Sequence, residues 1–521
     1  MEKKIPISFI LIAIVIIFIT LITKHIIFIT LLIPLIYLIL KEEARTENTL
    51  YLTLLIGTYL KLTRSLEKTM RIISYDNTNP FYKDIKRIIW TILTKRQMNL
   101  NETLSTIQDN TFLYTLTLMN SALGEGKNLF KNIDKAINYH IDAIYETSIQ
   151  FIEQFINPLN IGFSLTILLP MMIITLLPIL ALIIQTQSMF VDIFYTLDIL
   201  IPLIGLIVLY EVVKRRPLPM NLDLNIRYTF NIKDIILPSI FIALAFIFYY
   251  TSFFPNVNIP ICLTFSIILF LRNVYKQNRP KFKEVEEIIY DMPILLKEIS
   301  IHLDRGIPLE HIMKNIYKNN KLNLNKKTIE LIKQYVYISI RADENNNIEV
   351  FLSSIPSSFL RNIFKIISLT ASISPTQSAI IVEKLADYIS KMREIETKIV
   401  DLMKEITANL QLMGSLTIPL ISALALSFSL FLFTYLKTIK IQNFMINFTN
   451  IPISNSDISL LITLYSIEMT ILSSLFLSML KFKGNKIKIL DTITNITIKG
   501  LIIFILSFYI SYMLLGMVVK V

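Results

Sequence analysis

Glycine, cysteine and charge are all scarce in this chain of 521 residues. There are 10 glycines and one cysteine, and Asp, Glu, Lys and Arg make up 17% of the sequence. The single Cys262 excludes an intrachain disulfide, and its place inside an apolar run predicts a buried small hydrophobic residue. Low charge and a hydrophobic content of 53% exclude a soluble globular protein and indicate an integral membrane protein.

The sequence also lacks the motifs of common enzyme classes. Its nearest approach to a phosphate-binding loop contains Gly126 and Lys127, but Ser121 replaces the first glycine and Asn128 the final hydroxyl residue. There is no G-x-S-x-G, and the four histidines are scattered without a cysteine or acidic pair that would complete a metal set. We therefore expect no catalytic residue, no cofactor, no metal and no enzymatic activity.

Apolar runs occupy most of the sequence outside two polar regions. Nine runs are candidates to cross a hydrocarbon layer about 30 Å thick. The second and sixth are short, so either can be tilted or re-entrant. The predicted spans are 6–22, 26–40, 161–184, 193–210, 235–254, 259–271, 413–436, 458–480 and 501–519.

The distribution of basic residues predicts the orientation, because Lys and Arg resist export. An inside N-terminus leaves only four lysines outside, namely Lys24, Lys437, Lys440 and Lys520. A cleaved signal peptide is the alternative for the first run, but it lacks a small-residue cleavage site. We expect a multi-pass protein of the cytoplasmic membrane with the N-terminus and both polar regions in the cytosol and the C-terminus outside. Topology then explains the net charge of +12 without a nucleic-acid partner.

The polar regions, 41–158 and 272–407, are each predicted to form an all-helical domain. The first domain follows a transmembrane hairpin (1–40), and a set of spans follows each domain (159–271 and 408–521). In the second domain, apolar residues recur at three- and four-residue steps from Met292 to Leu303. We expect Asp291 to cap the start of that helix, with Pro293 in its first turn. A left-handed stop at Gly306 and a helix opened by Pro308 should follow, with the inner face Leu309, Ile312, Met313 and Ile316.

About forty residues of the first domain recur in the second. Leu60 to Ile73 aligns with Leu303 to Ile316 at an offset of about 243 residues, and Ile133 to Phe151 aligns with Ile381 to Ile399 at about 248. The copies differ at three glycines: Gly306 corresponds to Thr63, and Gly124 and Gly126 correspond to Ser372 and Ser374.

The last helix of the second domain has an apolar seam with a period of 3.5 residues, typical of a coiled coil or a long antiparallel bundle. We expect this helix to run with little interruption into the seventh span, so that movement of the domain reaches the membrane. The alternative is that the seam packs only within its own domain. Its residues are Ile381, Leu385, Tyr388, Met392, Ile395, Ile399, Leu402 and Ile406.

These segments resemble the type II secretion system F-domain family. The hairpin LDRGIPLEHIM, from Leu303 to Met313, carries the resemblance, and LKLTRSLEKTM, from Leu60 to Met70, is a looser copy. Two such domains, a leading pair of spans and a total near nine are similar to the archaeal platform proteins of archaella and type IV pilus-like machines, and to tight-adherence C proteins. The resemblance covers nearly all of the chain in architecture but only about forty residues in motif.

The resemblance implies an inner-membrane platform that couples a cytosolic hexameric ATPase to the insertion of pilin-like or archaellin subunits. It also implies a homodimer in the lipid bilayer. A basic cluster in the second domain is the expected ATPase-facing surface, although such runs are often only solvated faces. Its residues are Arg305, Gly306, Glu310, Lys314, Lys318 and Lys321. The alternative function is a secondary transporter, or another polytopic membrane protein with cytosolic regulatory domains, because transporters also contain internal repeats.

Glu468 is predicted near the middle of the eighth span, where a charge costs roughly 2.5 kcal/mol or more. It could belong to a proton or ion path, or hold the N-terminal charge of a pilin. Alternatively, it is protonated and hydrogen-bonded to Tyr465 or to a Ser or Thr of a neighbouring helix. Asp192 and Asp198 are expected at the outer edge of a loop, in contact with water.

Overall fold

The described part of the chain is helical throughout and contains no strand. The computed structural model describes residues 45–74, 110–124, 128–163, 169–183, 196–215, 233–251, 254–276, 279–319, 322–341, 347–373, 375–438, 455–482 and 486–519. The all-helical fold class predicted from the sequence is therefore confirmed for this part. The predicted hairpin at 1–40 lies outside the described residues.

In the described residues, the first helical group contains four helices, α1 to α4. Helix α1 is at its centre: every side chain from Leu52 to Lys61 is buried, and α1 packs against the other three helices. The residue with positive φ that ends α1 is Arg64, whose φ is 51°. The repeat alignment paired Gly306 with Thr63, one position earlier. The helices are α1 (Arg45–Thr63), α2 (Leu66–Ser74), α3 (Asn110–Gly124) and α4 (Leu129–Phe163).

The apolar bundle begins after α4 and is completed near the C-terminus. Its first part contains α5 (Leu169–Ile183), the π-helical segment π1 (Thr196–Leu200), α6 (Ile201–Arg215), α7 (Lys233–Thr251) and α8 (Pro255–Lys276). Cys262 is buried within α8, as its apolar surroundings predicted.

The second helical group, α9 to α14, is built around a long antiparallel pair of helices. Helix α9 packs against α14 along much of its length and also contacts α10 and α11. The predicted inner faces are confirmed, because the residues from Met292 to Leu303 at helical spacing and the inner residues of α10 are all buried. The helices are α9 (Arg279–Asp304), α10 (Leu309–Asn319), α11 (Lys326–Arg341), α12 (Asn347–Ser354), α13 (Ser358–Ile373) and α14 (Pro375–Leu402).

Asp291 does not cap the start of its own helix, contrary to the prediction. Helix α9 begins at Arg279, so Asp291 and Pro293 both lie in its interior. Asp291 instead accepts hydrogen bonds from the Asn325 backbone N–H at 2.6 Å and from the Thr328 hydroxyl at 2.7 Å. Its carboxylate therefore satisfies free donors at the N-terminus of α11, which is a capping role across space.

The rest of the apolar bundle continues directly from α14. It contains α15 (Lys404–Leu412), the second π-helical segment π2 (Met413–Thr417), α16 (Ile418–Thr438), α17 (Asn455–Phe482) and α18 (Lys486–Val519). Helix α17 lies at the centre, packed by α6, π1, α8, α15, π2, α16 and α18. Every side chain from Leu461 to Thr470 is buried, so α17 has no face left for solvent or lipid at its middle.

Four helical stretches in the described residues are long and apolar enough to cross a membrane. They are Pro255–Asn273, Lys404–Leu432, Asn455–Phe482 and Ile487–Met517. These coincide with the sixth to ninth predicted spans, and the sixth is longer than predicted. The chain is therefore described as a membrane protein with four candidate spans. Of the other predicted spans, the fifth corresponds to a shorter apolar helix, Ile236–Thr251.

The seam of α14 is a contact within the second helical group. Its residues from Ile381 to Ile399 are buried, and α14 packs mainly against α9 and α13. Leu402, by contrast, is 51% exposed, which marks the end of the seam. The predicted continuation into the membrane is interrupted at Met403, yet the Met403 N–H still donates to the Ile399 carbonyl at 3.1 Å.

Candidate functional site

Two places in the structure are candidate sites, and the first is a pair of acids inside the apolar bundle. Glu468 lies midway along α17, and Asp198 lies in π1, which packs against α17. Each acid is buried, and the two interact electrostatically. All four carboxyl oxygens are shielded from solvent and have no hydrogen-bond partner among the described residues. We call Asp198 and Glu468 the acid pair.

The acid pair corrects one expectation from the sequence and bears on one of its alternatives. Asp198 was expected to contact water at a loop edge, but its side chain is 0% exposed. For Glu468, one of the alternatives was a hydrogen bond to Tyr465 or to a neighbouring hydroxyl, and no such bond to its carboxyl occurs within the described residues. Tyr465 is nevertheless close, because it interacts electrostatically with Asp198. Asp198 lies five residues inside its own predicted span, and this position was the feature of the sequence that indicated its burial.

The second candidate site is the predicted basic surface around the turn between α9 and α10. Gly306 has φ of 75°, which favours glycine, and it lets α10 fold back against α9. The inner face of α10 is buried, so Glu310, Lys314 and Lys318 form an exposed strip along its outer face. Arg305 is also exposed, whereas Lys321 lies outside the described residues. We call Arg305, Glu310, Lys314 and Lys318 the turn surface.

The basic side chains of the turn surface differ from the neighbouring lysine of α11 in their pairing. Lys327 contacts Glu330 at 2.8 Å and Glu284 at 3.8 Å. The hydrogen bond to Glu330, followed by the charge of Glu284, raises the pKa of Lys327. Lys314 and Lys318 form no ion pair with the described part of the chain, so they remain available to an external partner.

Two lysines of α14 connect the two helical groups, a contact that the sequence did not predict. Lys391 Nζ lies 3.7 Å from Asp142 Oδ1, and Lys398 Nζ donates to the Tyr145 hydroxyl at 3.0 Å. The hydrogen bond to Tyr145, followed by the one to Glu394, raises the pKa of Lys398. These contacts are exposed and contribute little stability, but they show that α4 lies beside α14.

A further contact connects the second helical group to the apolar bundle. Lys488, near the start of α18, forms an ion pair with Glu286 of α9. The same ammonium lies over the rings of Phe282, at 5.3 Å, and Phe482, at 5.4 Å. The bundle is therefore joined to this group along the chain, by α8 before it and by α15 and π2 after it, and laterally through Lys488.

Within the described residues, no group of three or more His, Cys, Asp or Glu side chains is arranged to hold a metal ion. The chain matches no family model, no curated protein and no solved structure.

Proposed function

We propose that the chain is the membrane platform of a type IV pilus-like or archaellum assembly machine. In this role it couples a cytosolic hexameric ATPase to the insertion of filament subunits. The observation that carries the proposal is the helical path, with one break at Met403, from the second helical group through α15 and π2 to α16 inside the apolar bundle. A movement of the group would be transmitted along this path to the membrane-embedded helices.

The two helical groups are proposed to be copies of one domain. In each, a buried first helix ends at a residue with positive φ and is followed by a short helix. In each, a long last helix packs back against the first, as α4 does against α1 and α14 against α9. The aligned apolar positions agree, since Leu60 and Met70 are buried like Leu303 and Met313. Basic loop charge supports a cytosolic position for both groups.

The turn surface is proposed to be the docking site for the ATPase. It lies at the end of α9 away from the chain's entry from α8, about 35 Å from Lys281 at a rise of 1.5 Å per residue. Its lysines form no ion pair in the described part of the chain, so an acidic partner surface would meet free charges and be steered by them. Membrane insertion and docking would thus use opposite ends of one helical pair.

The test measures binding of the purified full-length chain in lipid nanodiscs to the ATPase encoded nearest to it. The variant K314E/K318E should weaken binding by about tenfold or more, through loss of charge complementarity. The matched control is K281E/K283E, which makes the same charge change on exposed lysines at the opposite end of α9 and should bind as the natural chain does. Equal affinity for all three proteins would refute the docking site.

One observation favours a second candidate function, secondary transport. Transporters carry ionisable residues in the middle of the membrane, and the acid pair has that character. The discriminating measurement is ion flux into vesicles that contain the purified chain. Flux that requires no ATPase favours transport, whereas a deletion strain that lacks surface filaments favours the platform.

A further inference from the structure

The acid pair destabilises the fold when it is charged, and neither ATPase docking nor the guidance of filament subunits explains its presence. A carboxylate without a hydrogen bond or counter-charge in an apolar interior is strongly destabilised, and two that face each other are worse. Glu468 is 5% exposed and Asp198 is 0% exposed, and none of their oxygens has a partner in the described residues. Some positive charge must therefore accompany the pair whenever the protein is folded.

The surrounding helices do not supply that charge from their described side chains. The basic residues described on α17 and on the elements packed against it, namely Arg272, Lys404, Lys481, Lys488 and Lys499, are exposed or half-buried, and none is a hydrogen-bond partner of either acid. Cys262 and Tyr509 face each other instead, and Glu211 on α6 is exposed. Among the described residues, the titratable groups that interact electrostatically with Asp198 are Glu468 and the phenol of Tyr465.

The size of the missing ligand follows from the burial of both acids. A peptide ammonium, such as the N-terminus of a filament subunit, cannot remain bound there, because the closed site leaves no room for a peptide chain. A proton or a bare metal cation of single charge can remain bound, and its exchange requires the helices to open transiently, which also admits a small apolar reagent. Carboxylate oxygens suit such hard cations, and two interacting carboxyls typically bind one proton between them.

We propose that Asp198 and Glu468 form a binding site for one exchangeable monovalent cation, either a proton or sodium, inside the apolar bundle. Exchange of the cation would alter the contact between π1 and α17. Because π1 leads directly into α6, it would also alter the packing of α6 against α17. This inference is independent of the ATPase-docking proposal. A chain that binds the ATPase but fails the test below loses only the cation site.

The test uses the natural full-length chain in nanodiscs and the apolar reagent N,N′-dicyclohexylcarbodiimide. A protonated carboxyl adds across one C=N bond of the reagent, its proton moves to nitrogen, and rearrangement leaves a stable N-acylurea without a leaving group. Mass spectrometry of the peptides should find at most one label per chain, on Glu468 or Asp198, that decreases as the pH rises. The exposed Asp457 on the same helix should be labelled several-fold less.

The salt used distinguishes the two cations. If sodium chloride protects the pair relative to choline chloride at equal ionic strength, the cation is sodium; if it does not, the cation is a proton. D198N, checked for folding by size-exclusion chromatography, should abolish the protection or shift the midpoint of the pH profile. The proposal is overturned if neither acid is labelled at any pH, if Asp457 is labelled equally, or if D198N changes nothing.

Discussion

At the level of single residues, the buried ion pair of the first helical group imposes a strict requirement. Lys61 Nζ lies 2.6 Å from Asp134 Oδ1, and the Lys61 side chain is 8% exposed while that of Asp134 is 24% exposed. The pair joins α1 to α4. Removing one partner of such a pair leaves the other charge buried without a counter-charge, which destabilises the fold. Removing both partners avoids this destabilisation.

We therefore expect Asp134→Ala to destabilise the protein by about 2–3 kcal/mol, because the Lys61 ammonium stays buried without its carboxylate. The double variant K61M/D134A should recover part of the loss. The measurement is the temperature at which half of the protein disappears from the size-exclusion peak after heating. If the double variant is no more stable than D134A, the stranded charge is not the cause.

Close packing around Gly500 supports a second prediction. A Cβ at this position would lie 2.9 Å from the Gly414 carbonyl oxygen and 2.8 Å from Thr470 Cγ2. Because the backbone at Gly414 cannot move without disturbing its helix, Gly500→Ala should lower the free energy of unfolding by about 1–3 kcal/mol. Gly516→Ala on the same helix is the control, since it meets nothing within 4 Å. The same heating assay should show a loss for Gly500→Ala alone, and equal stability of the two variants would contradict the packing argument.

Sequence patterns predicted residues on helical faces far better than residues whose role depends on a distant partner. The apolar spacing from Met292 to Leu303 was sufficient to predict a buried face, because helical period alone decides it. The predicted cap at Asp291 was assigned to the wrong helix. The groups that donate hydrogen bonds to its carboxylate begin at Asn325, thirty-four residues away, and only the fold brings them near. Asp198 was misjudged although it lies five residues inside its predicted span, because hydropathy carries no information on which helix a side chain contacts.

At the level of elements, the junction between α14 and α15 decides how the second helical group is connected to the bundle. The seam ends at Leu402, and Met403 is buried at the junction. Backbone hydrogen bonds continue across it, since Thr407 N–H donates to the Met403 carbonyl at 2.9 Å. The sequence predicted the continuity from periodicity, but not the single break in helical geometry at Met403, where φ is −90° and ψ is 1°.

Met403→Pro should uncouple the two parts while leaving each folded. Proline removes the donor to Ile399 and clashes with its carbonyl, at a cost of about 3 kcal/mol in a helix interior. The variant should insert into the membrane at normal levels on immunoblots, yet a deletion strain carrying it should show no surface filaments by electron microscopy. Met403→Leu keeps the hydrogen bond and should restore filaments. Normal filaments with Met403→Pro would mean that force does not pass through this junction.

At the level of the whole molecule, the proposed function requires both helical groups to lie on the cytosolic side of the membrane. The apolar bundle and the four candidate spans follow from composition and length, and these were predictable from the sequence. The contact of α4 with α14 and the ion pair of Glu286 with Lys488 were not, because both join segments far apart in the chain. Together they make the two groups and the bundle one connected assembly.

The most direct test of the central claim is the accessibility of single cysteines to a membrane-impermeant maleimide in intact cells. In a Cys262→Ala background, Asp457→Cys should be labelled, because it follows the predicted outer loop. Lys314→Cys should react only after the membrane is permeabilised, because the turn surface must face the cytosol to meet an ATPase. Labelling of Lys314→Cys in intact cells would place the second helical group outside and contradict the proposed function.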